Sequence, residues 1–213
     1  GSITANLLTG QSTGNTTLDG SNHINTLGSF TADFSLTNAQ TLTVVGPLDG
    51  GPAVTLTTTA GDLIINGAVS GTTTTLKSAG AISEGAGGSI TAGTLSGQSV
   101  GATTLTGANH IGTLGGFSAA NFALSNAQAL TVNGAVNGGS ALALTTTAGG
   151  LSINGAISGT KTTLKSAGAI NEGSGGLITA CTLSGSATGA TTLGSATHRI
   201  NNMVDTLGNF SSP

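Results

Sequence analysis

The chain has 213 residues, of which 37% are hydrophobic, 5% charged and 2% aromatic, with a formal net charge of −3. Lys and Arg together number only four, which excludes the basic patch that nucleic-acid binding or an anionic membrane surface would need. An ordinary globular domain carries about 25% charged residues, so this surface must consist of hydroxyl and amide groups. No apolar run approaches the roughly 20 residues of a membrane span, so this segment is not expected to insert into a membrane. Abundant Thr, Val and Ile at low net charge predict ordered β structure rather than disorder.

The chain repeats with a period of 87–88 residues. The opening segment GSITA at 1–5 returns as GSITA at 88–92 and as GLITA at 176–180. Self-similarity on this scale is typical of a solenoid. The whole chain is therefore predicted to be one repeat domain with the units 1–87, 88–175 and 176–213, the last of them partial. Because the chain starts at a repeat boundary and stops within a unit, it is expected to be a fragment of a longer protein.

A row of leucines divides each unit into four coils. Three steps of the row in each unit are close to twenty, and the fourth, from Leu76 to Leu105 or from Leu164 to Leu193, is half as long again. Threonines alternate with several of these leucines, as in the segment TLT at 55–57, and this period of two predicts strands with leucine facing inward. The row consists of Leu18, Leu36, Leu56, Leu76, Leu105, Leu124, Leu144, Leu164 and Leu193.

These patterns predict an all-β fold, a right-handed parallel β-helix of about ten rungs with four coils in each 87–88-residue unit. A coil of this size closes into one rung, and successive rungs pair in parallel at about 4.8 Å. Equivalent residues are then expected to stack in single columns, leucine on leucine inside and Asn on Asn at the turn. Left-handed hexapeptide solenoids keep a rigid coil length, so the variable steps favour the right-handed form. An immunoglobulin-like sandwich gives no reason for a unit that itself divides into four coils. The Asn-Gly pairs at 66–67, 133–134 and 154–155 are expected to form tight turns with left-handed backbone.

Each long step of the leucine row contains a glycine-rich segment, SEGAGG at 83–88 and NEGSGG at 171–176. It is expected to bulge from the shaft once per unit. The plain interpretation is a glycine-rich loop. The functional interpretation is an exposed contact point around Glu84 and Glu172, repeated every four rungs or roughly 19 Å.

Histidine and cysteine do not predict a metal site. His23, His110 and His198 occupy the same repeat position, so they are expected to lie four rungs, or roughly 19 Å, apart. The ligands of one zinc lie about 2.1 Å from it, so these side chains are predicted to face outward at turns. The single Cys181 replaces Gly93 of the preceding copy and has no intrachain disulfide partner. No metal or cofactor is predicted.

The acidic residues argue against an enzyme. Right-handed β-helices include pectin-degrading enzymes, whose acids cluster in one groove, whereas here only the glutamates recur at one repeat position. No paired carboxylates of the kind that glycoside hydrolysis needs are visible, and there is no Trp or Tyr to stack on a sugar. No catalytic residue is therefore predicted. The acids are Asp19, Asp33, Asp49, Asp62, Glu84, Glu172 and Asp205.

The outward threonines raise an alternative, an ice- or surface-binding solenoid with a flat array of Thr-x-Thr motifs. Of the nine positions that flank the leucine row, only 55–57 and 104–106 are Thr-x-Thr. Lys77 and Lys165 interrupt the pattern, and a strongly hydrated ammonium would disturb an ordered water layer. This alternative ranks second, and a carbohydrate-active β-helix ranks last.

Three segments carry a resemblance to a known family: ITAGTLSG at 90–97, ALTVNGAV at 129–136 and LTTTAG at 144–149. They resemble the shaft repeats of large secreted bacterial adhesins, the filamentous-haemagglutinin-like and autotransporter proteins with β-strand repeats. The resemblance implies a right-handed β-helix, export through the outer membrane and a role in attachment or biofilm.

The sequence therefore predicts a non-catalytic structural or adhesive shaft of a secreted or cell-surface bacterial repeat protein. Its expected partners are glycans or proteins of a host surface, a neighbouring cell or a matrix, together with further copies of itself. Nucleic acid is not expected to bind.

Overall fold

A computed structural model describes residues 1–194 and 202–213 and shows a parallel β-solenoid of about nine turns. The predicted fold class is confirmed, with nine turns in place of the ten expected. The described residues contain no helix, and so none that is long and apolar enough to cross a membrane. One continuous apolar core runs along the inside of the shaft, from Ile24 to Ala187.

Within the described residues, twenty strands wind around this core. In chain order they are β1 (Thr4–Asn38), β2 (Leu42–Val44), β3 (Leu48–Asp49), β4 (Ala53–Thr58), β5 (Leu63–Ile65), β6 (Ala68–Ser78), β7 (Ile82–Glu84), β8 (Ser89–Ser99), β9 (Thr103–Ser118), β10 (Phe122–Asn126), β11 (Leu130–Val132), β12 (Val136–Asn137), β13 (Ala141–Thr146), β14 (Leu151–Ile153), β15 (Ala156–Ser158), β16 (Lys161–Ser166), β17 (Ile170–Glu172), β18 (Leu177–Ala187), β19 (Thr191–Thr192) and β20 (Met203–Ser211).

Parallel pairing stacks inward residues of successive turns into columns. The first column contains Leu27, Val44, Ile65, Glu84, Leu105, Leu124, Leu144, Leu164, Gly185 and Phe210. The second column contains Leu36, Leu56, Leu76, Gly97, Phe117, Val136, Ile157 and Ile178. A third, shorter column contains Phe30, Leu48, Val69 and Ile90.

The leucine row that the sequence suggests is in fact divided between two columns. Leu56 and Leu76 stack in the second column, but the next residue there is Gly97. Leu144 and Leu164 stack in the first column. All four leucines are fully buried, so their inward orientation is confirmed, whereas the single stack is wrong.

The division follows from a mismatch between the repeat and the turn. Four successive register pairs lead from Phe34 through Val54, Thr74 and Leu95 to Leu114, four turns further along the shaft. The residue equivalent to Phe34 in the next unit is not Leu114 but Phe122, eight residues beyond it. Each unit therefore exceeds four turns by eight residues, and Phe122 lies in the strand stack of the first column.

The glycine that follows each leucine stack lies under a phenylalanine ring. A Cβ on Gly97 would lie 2.9 Å from the ring of Phe117, and a Cβ on Gly185 would lie 2.9 Å from the ring of Phe210. Both distances are shorter than van der Waals contact. A side chain at either glycine would thus clash with the ring that packs over it and, more closely, with the carbonyl oxygen of the leucine one turn below.

The Asn-Gly pairs do form turns, but not for the predicted reason. No described non-glycine residue has a positive φ, and Gly67, Gly134 and Gly155 do not have one either. Gly67 is required instead because its backbone approaches the turn below, where a Cβ would lie 2.6 Å from the carbonyl oxygen of Gly46. The expected stacking of turn asparagines is seen where Asn154 Nδ2 donates to Asn133 Oδ1 at 3.1 Å.

The glycine-rich segments do not bulge from the shaft. Gly88 N donates to the carbonyl oxygen of Gly85 at 3.0 Å, and Gly176 N donates to that of Gly173 at 3.0 Å, so each segment closes as a tight turn. The expected loop is an artefact of the long step in the leucine row. That step consists of one full turn, from Leu76 to Gly97, followed by eight residues that lead to the next column.

Candidate functional site

An outward row of polar side chains crosses the turns next to the second column. Each member pairs with the next across a parallel strand pair, so the row is continuous along the shaft. Alternation within each strand turns these residues away from the core. The row consists of Thr37, Thr57, Lys77, Gln98, Ser118, Asn137, Ser158, Thr179 and, at its end, Met203.

Hydroxyl groups of neighbouring turns bond to one another at two places on the outside of the shaft. Thr75 Oγ1 and Ser96 Oγ are 3.3 Å apart, and the equivalent Thr163 Oγ1 and Ser184 Oγ are also 3.3 Å apart. The first pair flanks the second column and the second pair flanks the first column. The two hydroxyl surfaces therefore face different directions around the shaft.

The Thr-x-Thr motifs of the ice-binding alternative do not form a single face. The segment 55–57 belongs to β4 beside the second column, whereas Thr104 lies in β9 beside the first column. Lys77 is exposed between Thr57 and Gln98. The two motifs that support the alternative of a flat binding array thus lie on different sides.

The histidines His23 and His110 are exposed, as predicted, but do not form a row. His110 pairs with Thr91 at the outward position beside the third column. In the turn that contains His23, the residue at this outward position is Thr31 and not His23. Each ring is held locally, with Nδ1 of His23 3.2 Å from the carbonyl oxygen of Ser21.

The third copy departs from the predicted alignment. Thr179 pairs with Met203 in the same way as Thr91 pairs with His110. Met203 therefore occupies the repeat position that the sequence assigns to His198, and His198 and Arg199 lie outside the described residues. The signal for the correct alignment is the segment NMVDTLGNF at 202–210, which matches NHIGTLGGF at 109–117.

Glu84 is the largest departure from the sequence-based prediction. The expected position is an exposed loop, but Glu84 occupies an inward position of the first column above Ile65. Gly107 N donates to Glu84 Oε2 at 2.7 Å, and Asn109 Nδ2 donates to the same oxygen at 3.0 Å. Oε1 is buried and has no hydrogen-bond partner among the described residues. Burial raises the pKa of this carboxyl, and the bonds from Asn109 and Gly107 partly oppose that rise.

The two hydrogen bonds to one carboxylate oxygen recur one unit later. Glu172 is 6% exposed, and its Oε2 accepts from Gly194 N at 2.6 Å and from Asn202 Nδ2 at 2.7 Å. Both glutamates end a short strand at the point where the next unit begins. The repeated glutamate is therefore a structural group of the junction between units and not an exposed contact point.

Sequence reasoning also misses a set of inward asparagines. Asn109 Oδ1 accepts from Ile90 N at 2.7 Å, and Asn126 Oδ1 accepts from Ile111 N at 2.8 Å. Asn22 and Asn38 make the equivalent bonds in the first unit. At a corner of the turn, these side-chain oxygens accept the backbone N–H groups in place of a backbone carbonyl. The sequence signal that could have revealed these asparagines is that both recur in each of the first two units.

The remaining acids are dispersed, and three of them bond to neighbouring turns. Ser35 Oγ donates to Asp19 at 2.9 Å, Ser70 Oγ donates to Asp49 at 3.3 Å, and Ala81 N donates to Asp62 at 2.7 Å. Within residues 1–194 and 202–213, no group of three or more His, Cys, Asp or Glu side chains is placed to hold a metal ion. Cys181 is a free, exposed thiol.

Two open grooves occur at the same repeat position. One has a volume of about 540 Å³ and lies in the first unit around His23 and Asn25. The other has a volume of about 310 Å³ and lies in the third unit around Met203 and Asp205. No protein-family model, curated protein or solved structure matches this chain.

Proposed function

We propose that this chain is a non-catalytic structural and adhesive shaft of a secreted or cell-surface bacterial protein. The observation that carries the proposal is the uninterrupted outward row from Thr37 to Thr179, which presents polar groups on successive turns. In a solenoid each turn contacts only its neighbours, so such a surface grows with the number of repeats. A long surface of this kind suits attachment or scaffolding.

The chemistry of the surface supports the proposal. Only 5% of the residues are charged, and Asp19 and Asp49 bond to hydroxyls of adjacent turns. These acids are thus engaged in holding turns together. The resemblance to secreted adhesin shafts points in the same direction and suggests the outer surface of a bacterial cell as the location.

A length series tests the proposal. Three chains are compared: one lacks residues 88–175, one has them once and one has them twice. Each chain is displayed on polystyrene beads at equal density. Bead attachment to bacterial biofilm matrix or to cultured cells is then measured under flow. We expect the attachment to increase gradually with length, because many weak contacts add through avidity.

Two results would contradict the proposal. Attachment that is equal at all three lengths would show that the repeated surface does not contribute. Antibody labelling that requires permeabilised cells of the encoding organism would place the chain inside the cell and remove the adhesive role.

A further inference from the structure

The groove of the first unit, here the amide groove, is an open depression of about 540 Å³ across three successive turns. Its lining consists of Thr4, Ala5, Asn6, His23, Asn25 and Gln40.

Side-chain amides form a chain along this groove. Gln40 Nε2 donates to Asn25 Oδ1 at 2.6 Å, and Asn25 Nδ2 donates to Asn6 Oδ1 at 2.9 Å. These bonds fix the orientation of three otherwise flexible groups, one on each turn. The Asn6 amide nitrogen and the Gln40 amide oxygen lie at the two ends of this chain, and neither atom is used in the two bonds.

His23 adds an acceptor to the same groove. Its Nδ1 lies 3.2 Å from the carbonyl oxygen of Ser21, which can only accept a hydrogen bond. Nδ1 of the neutral ring therefore carries the proton, and Nε2 is left as the acceptor. The groove thus offers donors and acceptors that are already oriented.

The groove chemistry selects the class of ligand. Its lining contains no Asp, Glu, Lys or Arg, and Ala5 is its one apolar member. Stable protein interfaces centre on buried aromatic or Arg anchors, which this groove does not provide. A hydroxyl group both donates and accepts, and it matches amide groups placed in alternation.

We infer that the amide groove binds an uncharged polysaccharide through the hydroxyls of successive sugars. The inference rests on the proposed adhesive function and names the partner of its first unit. The ordering of Asn6, Asn25 and Gln40 before binding reduces the entropy cost of recognition.

The repeats themselves supply a matched comparison. In the second unit Gly93 and Gly112 stand at the positions of Asn6 and Asn25, while Gln128 matches Gln40. The parallel pairing of the turns is kept there, since Thr91 pairs with His110. The second unit therefore has paired turns at these positions without the amide chain, and we expect it not to bind.

The test is the double variant Asn6→Gly with Asn25→Gly, which gives the first groove the residues of the second. The full chain and the variant are passed over immobilised mannan, dextran and galactan. We expect the full chain to bind at least one of them and the variant to bind about tenfold more weakly, as the loss of one or two net hydrogen bonds predicts. The side-chain amide NMR signals of Asn6, Asn25 and Gln40 are expected to shift on binding.

Several outcomes would overturn the inference. They are the absence of binding to all three polysaccharides, equal binding by the double variant, and binding only to heparin or to a protein-coated surface. The last outcome would leave the adhesive shaft intact, because the bead series measures attachment without reference to ligand class. Circular dichroism of the variant verifies that the fold is retained.

Discussion

Strands β4 and β13 are copies of one another that lie in different columns of the solenoid. Their sequences are AVTLTT and ALALTT, and both alternate between half-buried and buried residues in the same way. β4 nevertheless stacks in the second column, while β13 stacks in the first. Local sequence thus determines whether a segment is a strand and which side faces inward. The column is determined by the length of chain that precedes the strand, because one unit exceeds four turns by eight residues.

This difference separates two lengths that the chain must satisfy. The turn length, which brings Leu56 to Leu76 and Leu144 to Leu164, maintains pairing between neighbours. The unit length determines where the same sequence recurs, and it recurs on a different face of the shaft. A deletion that keeps the unit length is therefore compared with one that keeps neither length, and the latter is expected to have the largest effect on folding.

The first prediction compares two deletions. Removal of residues 88–175 joins Gly87 to Gly176, which has the same place in the unit as Gly88. We expect this chain to fold and unfold cooperatively, because every remaining turn keeps a compatible neighbour. Removal of residues 141–150 takes away half a turn and shifts the inward leucines out of register.

Circular dichroism melting and limited proteolysis measure the outcome. The shorter deletion is expected to abolish cooperative unfolding, although it removes far less of the chain. Equal loss of structure in both variants would show that the unit is not an interchangeable block.

The second prediction concerns equivalent leucines in the two columns. Leu56 and Leu144 are both fully buried, and each has a leucine as neighbour in the next turn. Replacement of either by Ala should cost about 2–5 kcal/mol through lost burial and a residual cavity. We expect the two losses to be similar, since β4 and β13 have the same environment on different faces.

Urea denaturation gives both free energies of unfolding. A loss below about 0.5 kcal/mol for either variant lies outside the range for a buried leucine and would contradict its inward position. A large difference between the two would mean that the columns are not equivalent.

These comparisons show why the sequence predicts some features and not others. Alternation around Leu56 and Leu144 reports a strand face directly, so the core and the parallel fold are predictable. The change of column is not predictable. The leucine row suggests that Leu105 follows Leu76 in one stack, whereas the residue that stacks on Leu76 is Gly97. The long step from Leu76 to Leu105 has the composition of a loop, whereas it is a full turn with eight residues added.

The candidate sites escape prediction for a related reason. A glutamate among glycines has the composition of an exposed loop, and only the register places Glu84 above Ile65. Likewise, the amide bond between Asn6 and Asn25 joins side chains on different turns. Such contacts depend on the turn length, which the leucine spacing indicates only approximately.

The third prediction uses the inward glutamate at the unit junction, Glu84. Its folded-state pKa is raised above the ordinary value of 4.5, mainly because burial disfavours the charged form. The folded chain therefore binds this proton more readily than the unfolded chain. The resulting contribution to stability is present in full below the unfolded pKa and is lost as the pH rises through the folded pKa.

Denaturation of the wild type and of Glu84→Gln at a series of pH values from acidic to neutral measures this contribution. The amide oxygen of Gln can still accept from Gly107 and Asn109, but the variant has no proton to lose. We expect the stability difference between the two chains to change with pH in the stated direction. Asp205→Asn, which removes an exposed carboxylate, is the control, and an identical pH profile for wild type and Glu84→Gln would refute the inward position.

The last prediction, which has the smallest expected effect, concerns ice binding. A flat ice-binding face requires its threonines to lie side by side on one surface, turn after turn. Here the Thr-x-Thr segment at 55–57 and the one at 104–106 flank different columns, because the unit and the turn do not coincide. Exposed Lys77 also holds water too strongly to permit an ordered layer. We expect no thermal hysteresis at millimolar concentration in a nanolitre osmometer and no faceting of ice crystals. Lys77→Thr should not create either effect, since it extends only one of the two surfaces; faceting by the wild-type chain would show that one column alone presents an adequate face.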